Sequence, residues 1–74
     1  MTTGMEYFLV LAEEQSISRA AQRLFVTQQS ISQHMKRLEQ IYGANLFIRP
    51  PRFQLPPAGE ALLSAARQIR ILEQ

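Results

Sequence analysis

The stretch from Thr27 to Gly43 restricts the possible folds more than any other part of this 74-residue chain. At about 100° per residue, Ile31, Met35, Leu38, Ile41 and Tyr42 fall within an arc of roughly 120° on a helical surface. Gln28, Gln29, Ser32, Gln33 and Lys36 occupy roughly 140° of the remainder. Thr27 can cap the first turn through its hydroxyl, and Gly43 suits the left-handed residue that ends a helix. The spacing therefore predicts one helix with an apolar face for a core and an opposite face of amides and hydroxyls.

Two shorter helices are expected before it. Met5, Phe8, Leu9 and Ala12 follow the i, i+3, i+4, i+7 spacing of a helix face, with Glu6 and Glu13 opposite, which predicts a helix from Met5 to Glu14. Gln15–Ser18 interrupts it, and Ser18 is the expected N-cap of a second helix. In that helix Ala20, Ala21 and Leu24 allow close packing, while Arg19 and Arg23 point outward. Phe25–Val26–Thr27 makes a tight connection. A short helix, a tight turn and a longer helix with a polar outer face form a helix-turn-helix.

After Gly43, Leu46–Phe47–Ile48–Arg49 reads as a short strand, Pro50–Pro51–Arg52 as a turn and Phe53–Gln54–Leu55 as a returning strand. This would be a two-stranded wing with arginines at its tip. Pro56–Pro57 opens a last helix, since proline suits a first helical position. There Ala58, Leu62, Ala65, Ile69 and Leu72 recur at alternating spacings of four and three, a heptad seam. No cap or breaker precedes Gln74, so a helix cut short is expected. The fold class is mainly α: a winged helix-turn-helix with a three-helix core and two-stranded wing over 1–55, then a long linker helix over 56–74.

Charge distribution narrows the function. The net charge is only +2, but residues 15–52 hold Arg19, Arg23, Lys36, Arg37, Arg49 and Arg52 against the single acid Glu39. A basic patch on part of a domain is the footprint of a polyanion partner, although such charge also occurs as plain solvated surface. With one histidine, no cysteine and no aspartate, no catalytic triad or metal cluster can be assembled, and no cofactor or metal is expected. The three glycines are isolated, which excludes a phosphate-cradling loop. No apolar run approaches the roughly 20 residues that span a bilayer, so a soluble chain without membrane partners, in the cytoplasm, is expected.

The polar face of the third helix suits the major groove of double-stranded DNA. A glutamine amide can offer a donor and an acceptor to the N6/N7 edge of adenine. Gln28, Gln29 and Gln33 are the base-reading candidates. Ser18, Arg19, Thr27, Ser32 and Lys36 suit phosphates, which fix register without reading sequence. His34 borders the apolar arc and reads as a packing or surface residue, and Glu39 as a local ion-pair partner. The competing reading is a helical protein-interaction module that dimerises through the 58–72 seam, its polar third helix merely solvated.

The run Ser16–Ile17–Ser18–Arg19–Ala20–Ala21–Gln22–Arg23–Leu24–Phe25–Val26–Thr27–Gln28–Gln29–Ser30 resembles the signature of LysR-type transcription regulators. So does its continuation Ile31–Ser32–Gln33–His34–Met35–Lys36–Arg37–Leu38–Glu39. Phe8 and Ala12–Glu13 upstream, and Leu46–Phe47–Ile48–Arg49 and Ala58–Gly59–Glu60 downstream, keep the family's order. The resemblance implies an N-terminal winged domain, a linker helix that pairs between subunits, and a larger C-terminal domain that binds a small-molecule effector. It also implies that Ala58, Leu62, Ala65, Ile69 and Leu72 form a dimer contact, with the whole protein able to reach a tetramer. By similarity, Gln28, Gln29 and Gln33 face bases, Ser32 contacts phosphate, and Arg49 and Arg52 of the wing reach backbone or minor groove. An inverted-repeat operator is the expected partner.

Three departures from the family pattern stand out. Position 33, commonly basic, is Gln33. The wing is one residue shorter between Arg52 and Leu55. Pro56 stands where a capping threonine is frequent.

Overall fold

The computed structural model describes residues 1–48 and 54–73, and its element order is α1 (Thr3–Glu14), α2 (Ile17–Leu24), α3 (Gln28–Tyr42) and α4 (Pro57–Glu73). Helix α1 is the central element, packed against α2, α3 and α4, while α2 also packs on α3. Its burial is wider than the four-residue stripe read from the sequence. Met5, Phe8, Leu9, Val10 and Leu11 are all buried, because neighbours cover it on three sides. The core they share with Ala20, Ala21, Ile31, Met35, Leu38, Leu46, Phe47, Leu62, Leu63 and Ala66 contains no polar side chain.

The helix starts correct two expectations. Helix α1 begins at Thr3 rather than Met5, because the Thr2 side chain accepts the Met5 N–H at 3.2 Å and caps two residues earlier. The cap of α2 is Ser16, not Ser18: Ser16 is extended (φ −159°, ψ 124°) and its hydroxyl accepts the Arg19 N–H. Ser18 already lies in the first turn. Thr27 caps α3 as its position suggested, accepting the Ser30 N–H at 3.0 Å.

Helices α1, α2 and α3 each end on a left-handed residue, Gln15 (φ 55°), Phe25 (φ 58°) and Gly43 (φ 64°). At the second of these the Val26 N–H reaches back to the Ala21 carbonyl at 3.1 Å, closing a Schellman-type turn. Phe25 is 94% exposed there, so its ring gains nothing from burial while its Cβ meets the left-handed penalty of roughly 1–2 kcal/mol. Phe25→Gly is therefore expected to stabilise the fold by about 1 kcal/mol, raising Tm by roughly 4–8 °C. A thermal melt that falls or stays level would show that the aromatic ring holds the turn.

The last turn of α3 also departs from the sequence reading. Ile41 and Tyr42 continue the period of the apolar arc, yet they are 70% and 52% exposed. Leu38 is the last buried residue of α3, and the turn that follows runs past the core.

Of the expected first strand, residues 46 and 47 are irregular, Ile48 makes a single bridge and Arg49 lies outside the described residues. Leu46 and Phe47 turn their side chains into the core, and the Leu46 N–H is taken by the Glu39 carboxylate at 2.9 Å instead of a partner strand. Among the described residues the pairing reduces to one antiparallel bridge, Ile48 with Gln54. The turn Pro50–Pro51–Arg52, with Arg49 and Phe53 on either side, lies outside the described residues.

Helix α4 is not detached from the domain. Gly59, Leu62, Leu63 and Ala66 are buried along one side of it, against α1 and the segment around Leu46. The expected three-helix core is thus a four-helix core. Leu62, placed in the intermolecular seam by its heptad position, is only 8% exposed and packs inside its own chain. Ala58, Ala65, Ile69 and Leu72 of that seam are exposed. Among the described residues no helix is long and apolar enough to cross a membrane.

Candidate nucleic-acid interface

Helix α3 is anchored from three directions, so its outer face has a fixed position. Ile31 and Met35 are fully enclosed in the core, Thr27 caps one end and Gly43 closes the other. Tyr7 of α1 packs on His34, ring centroids 4.7 Å apart at 57°, and His34 Nδ1 lies 2.8 Å from the Ser30 carbonyl. His34 is thereby a packing residue, half-buried between α1 and α3.

Opposite this anchored side, Gln28, Gln29, Gln33 and Lys36 are exposed and Ser32 is half-buried. Gln29, Ser32, Gln33 and Lys36 are spaced i, i+3, i+4, i+7, which lines them up along one side of the helix. Among the described residues, none of these five side chains is engaged in an intramolecular hydrogen bond, so their amide, hydroxyl and ammonium groups are open to a ligand. Thr27 is exposed at the same end. Its oxygen already accepts the Ser30 N–H, but the hydroxyl hydrogen is still available to a phosphate oxygen.

The basic residues of α2 are less free than their outward spacing suggested. Arg19 donates to the Glu14 carbonyl at 2.8 Å, with its Nε 3.7 Å from the Glu14 carboxylate. Arg23 Nη1 reaches Glu13 at 3.0 Å and Glu14 at 3.2 Å. These contacts raise the Arg23 pKa through the hydrogen bonds that its guanidinium donates to Glu14 and then to Glu13. Glu13 also holds Arg70 of α4, its second oxygen 3.1 Å from Nη2. Partial burial pulls the Glu13 pKa up, but the hydrogen bonds from Arg70 and Arg23 and their charges more than offset it, leaving the carboxyl below its ordinary range. Sequence reading missed this cluster because its members lie on three helices, nine and 57 residues apart.

Gln29, Ser32, Gln33 and Lys36 thus form an open polar ridge along α3, with the cap at Thr27 just before its first turn. Ser18 is exposed on α2, and Arg49 and Arg52 lie outside the described residues. Such an arrangement can offer hydrogen-bond donors and acceptors to base edges and positive charge to phosphates.

Comparison with known proteins agrees with this geometry. The family described as "Bacterial regulatory helix-turn-helix protein, lysR family" matches residues 2–60. The transcriptional regulator ArgP of Aeromonas salmonicida is 46% identical over 75 residues, covering 95% of this chain and 25% of that protein. Full-length OxyR from Pseudomonas aeruginosa superposes with a TM-score of 0.91 at 36% identity, over 100% of this chain and 26% of that one. The DNA-binding domain of CbnR, solved in complex with DNA, gives a TM-score of 0.88 at 38% identity, over 95% of this chain and 82% of that one. The chain spans about a quarter of the length of the curated relatives it matches. A helix-turn-helix whose second helix carries an open polar ridge, matched over most of the sequence, leads to one assignment: the chain belongs to the lysR family of bacterial regulatory helix-turn-helix proteins.

Proposed function

We propose that this chain is the DNA-reading unit of a dimeric, sequence-specific bacterial transcription regulator, with α3 in the major groove. The observation that carries the reading is the row of exposed Gln29, Gln33 and Lys36 with half-buried Ser32, their side chains unbonded among the described residues, on a helix whose other face is locked into the core. Gln28, Gln29 and Gln33 read base edges. Ser18, Arg19, Thr27, Ser32 and Lys36 hold phosphates, with Arg19 exchanging its contact to Glu14 for one to DNA. That the similar CbnR domain was solved in complex with DNA supports DNA as the partner.

Residues 1–55 form the winged DNA-binding domain in this reading, and 56–74 begin a linker helix that continues into an effector-binding domain. The bridge between Ile48 and Gln54 is the base of a two-stranded wing, whose Arg49 and Arg52 reach backbone or minor groove. Exposed Ala58, Ala65, Ile69 and Leu72 pair α4 with the same helix of a second copy. The dimer then reads an inverted repeat with half-sites whole helical turns apart.

The charge and sequence-reading roles separate by experiment. Arg52→Ala is expected to weaken binding to every duplex alike and to lower the slope of log K against log salt by about one, measured by anisotropy titration. An unchanged slope would remove Arg52 from the phosphate contacts. The competing reading, an interaction module without DNA readout, requires that substituting Gln28, Gln29 and Gln33 together leave all binding intact. Loss of operator binding with self-association preserved supports the DNA-reading unit.

A further inference from the structure

Among the described residues, the contacts that join α4 to the helix-turn-helix are unevenly distributed along its length. Its buried residues, Gly59, Leu62, Leu63 and Ala66, all lie in the first ten of its 17 residues. From Arg67 to Glu73 no residue is buried, and α4 packs on no helix other than α1. Two polar contacts hold this outer part: Arg70 to Glu13, and Glu73 to the amine of Met1. Only the first reaches the DNA-reading helices. Glu13 engages Arg70 of α4 with one oxygen and Arg23 of α2 with the other, at 3.1 and 3.0 Å, although α2 and α4 do not pack on each other. Arg23 is fastened a second time, by Glu14 at 3.2 Å, so the α2 side of the bridge is the firmer one.

We infer that Glu13 is a positioning residue that sets the angle between the helix-turn-helix and the outer half of α4, and so determines which half-site spacing the dimer accepts. This rests on the proposed pairing of copies through α4. The lever is long enough to matter. The seven residues beyond the buried contacts, 67–73, span about 10 Å, so a tilt of about 10° displaces the far end by about 2 Å, more than half of the 3.4 Å rise of one base pair. Glu13 touches neither the glutamine ridge nor the cap at Thr27, so it acts on the relation between two half-sites and not on the reading of either.

The test compares the unsubstituted chain, Glu13→Gln and Arg70→Met on duplexes enriched from a random pool. Each is titrated against a single half-site, the preferred inverted repeat, and repeats lengthened or shortened by one and two base pairs. The expected result is equal single half-site affinity in all three proteins, with the preference for the best spacing over its one-base-pair neighbours lowered about threefold in both variants. The double variant should show no further loss, because both substitutions break the same bridge. Should Glu13→Gln fail to fold by circular dichroism, Arg70→Met, on the exposed end of α4, gives the same comparison. An unchanged spacing preference in a folded variant overturns the inference, as does a matching loss on the single half-site. An unsubstituted chain that binds paired half-sites no better than one overturns the pairing through α4, and the inference with it.

Discussion

Gly59→Ala is expected to destabilise the fold by about 3 kcal/mol, lowering Tm by roughly 12–24 °C. A Cβ at position 59 would stand 1.9 Å from the Leu46 carbonyl oxygen and 2.9 Å from its carbon. Those atoms are backbone, and Leu46 is held on both sides, by its buried side chain and by the Glu39 carboxylate on its N–H. Neither neighbour can give way by rotating a side chain, so α4 must move off the domain. That withdraws Leu62, Leu63 and Ala66 from the core and disturbs the segment leading to the wing. Gly43 provides the contrast. Nothing lies within 4 Å of its missing Cβ, and only its φ of 64° favours glycine, so Gly43→Ala should cost about 1 kcal/mol. Denaturant titration of both variants checks the ranking. A Gly59→Ala protein within 0.5 kcal/mol of the parent would mean that α4 and the Leu46 segment are not in contact.

The second large effect falls on recognition and leaves stability alone. Gln29→Ala removes an exposed amide without disturbing the core, so its melting curve should match that of the parent. On the preferred operator it should cost about 1–3 kcal/mol, a loss of roughly 5- to 150-fold, with little change on random duplex. This is the reverse of the Arg52→Ala pattern, in which every sequence suffers alike. Equal loss on operator and random DNA would remove Gln29 from base reading and place it among the backbone contacts.

Much of this was legible in the chain because α3 carries complete local signals. Thr27 announces its start, Gly43 its end, and the division between Ile31–Met35–Leu38 and Gln29–Gln33–Lys36 gives its two faces. The helix ends at Gln15 and Phe25 were harder to see, since glutamine and phenylalanine give no warning of left-handed backbone. Ser16 and Ser18 flank the same turn, and sequence alone does not show that it is the Ser16 hydroxyl that meets the first free N–H of α2. Ile41 and Tyr42 keep the period of the apolar arc but outrun the core, and periodicity alone cannot tell where a neighbour stops. The heptad reading of α4 failed at Leu62 for a related reason. A seam between copies and a stripe against α1 share the same spacing, and the tertiary contact claimed Leu62. The Glu13 bridge lay beyond reach, because its three members meet only once the helices are packed.

The most direct test of the central claim is the binding of this chain to a random duplex and to a selected pool, followed by fluorescence anisotropy from about 50 to 200 mM salt. DNA reading through α3 predicts binding that falls steeply with salt and a pool that converges on an inverted repeat. A folded chain that binds no duplex even at the lowest salt, while still self-associating, would contradict it.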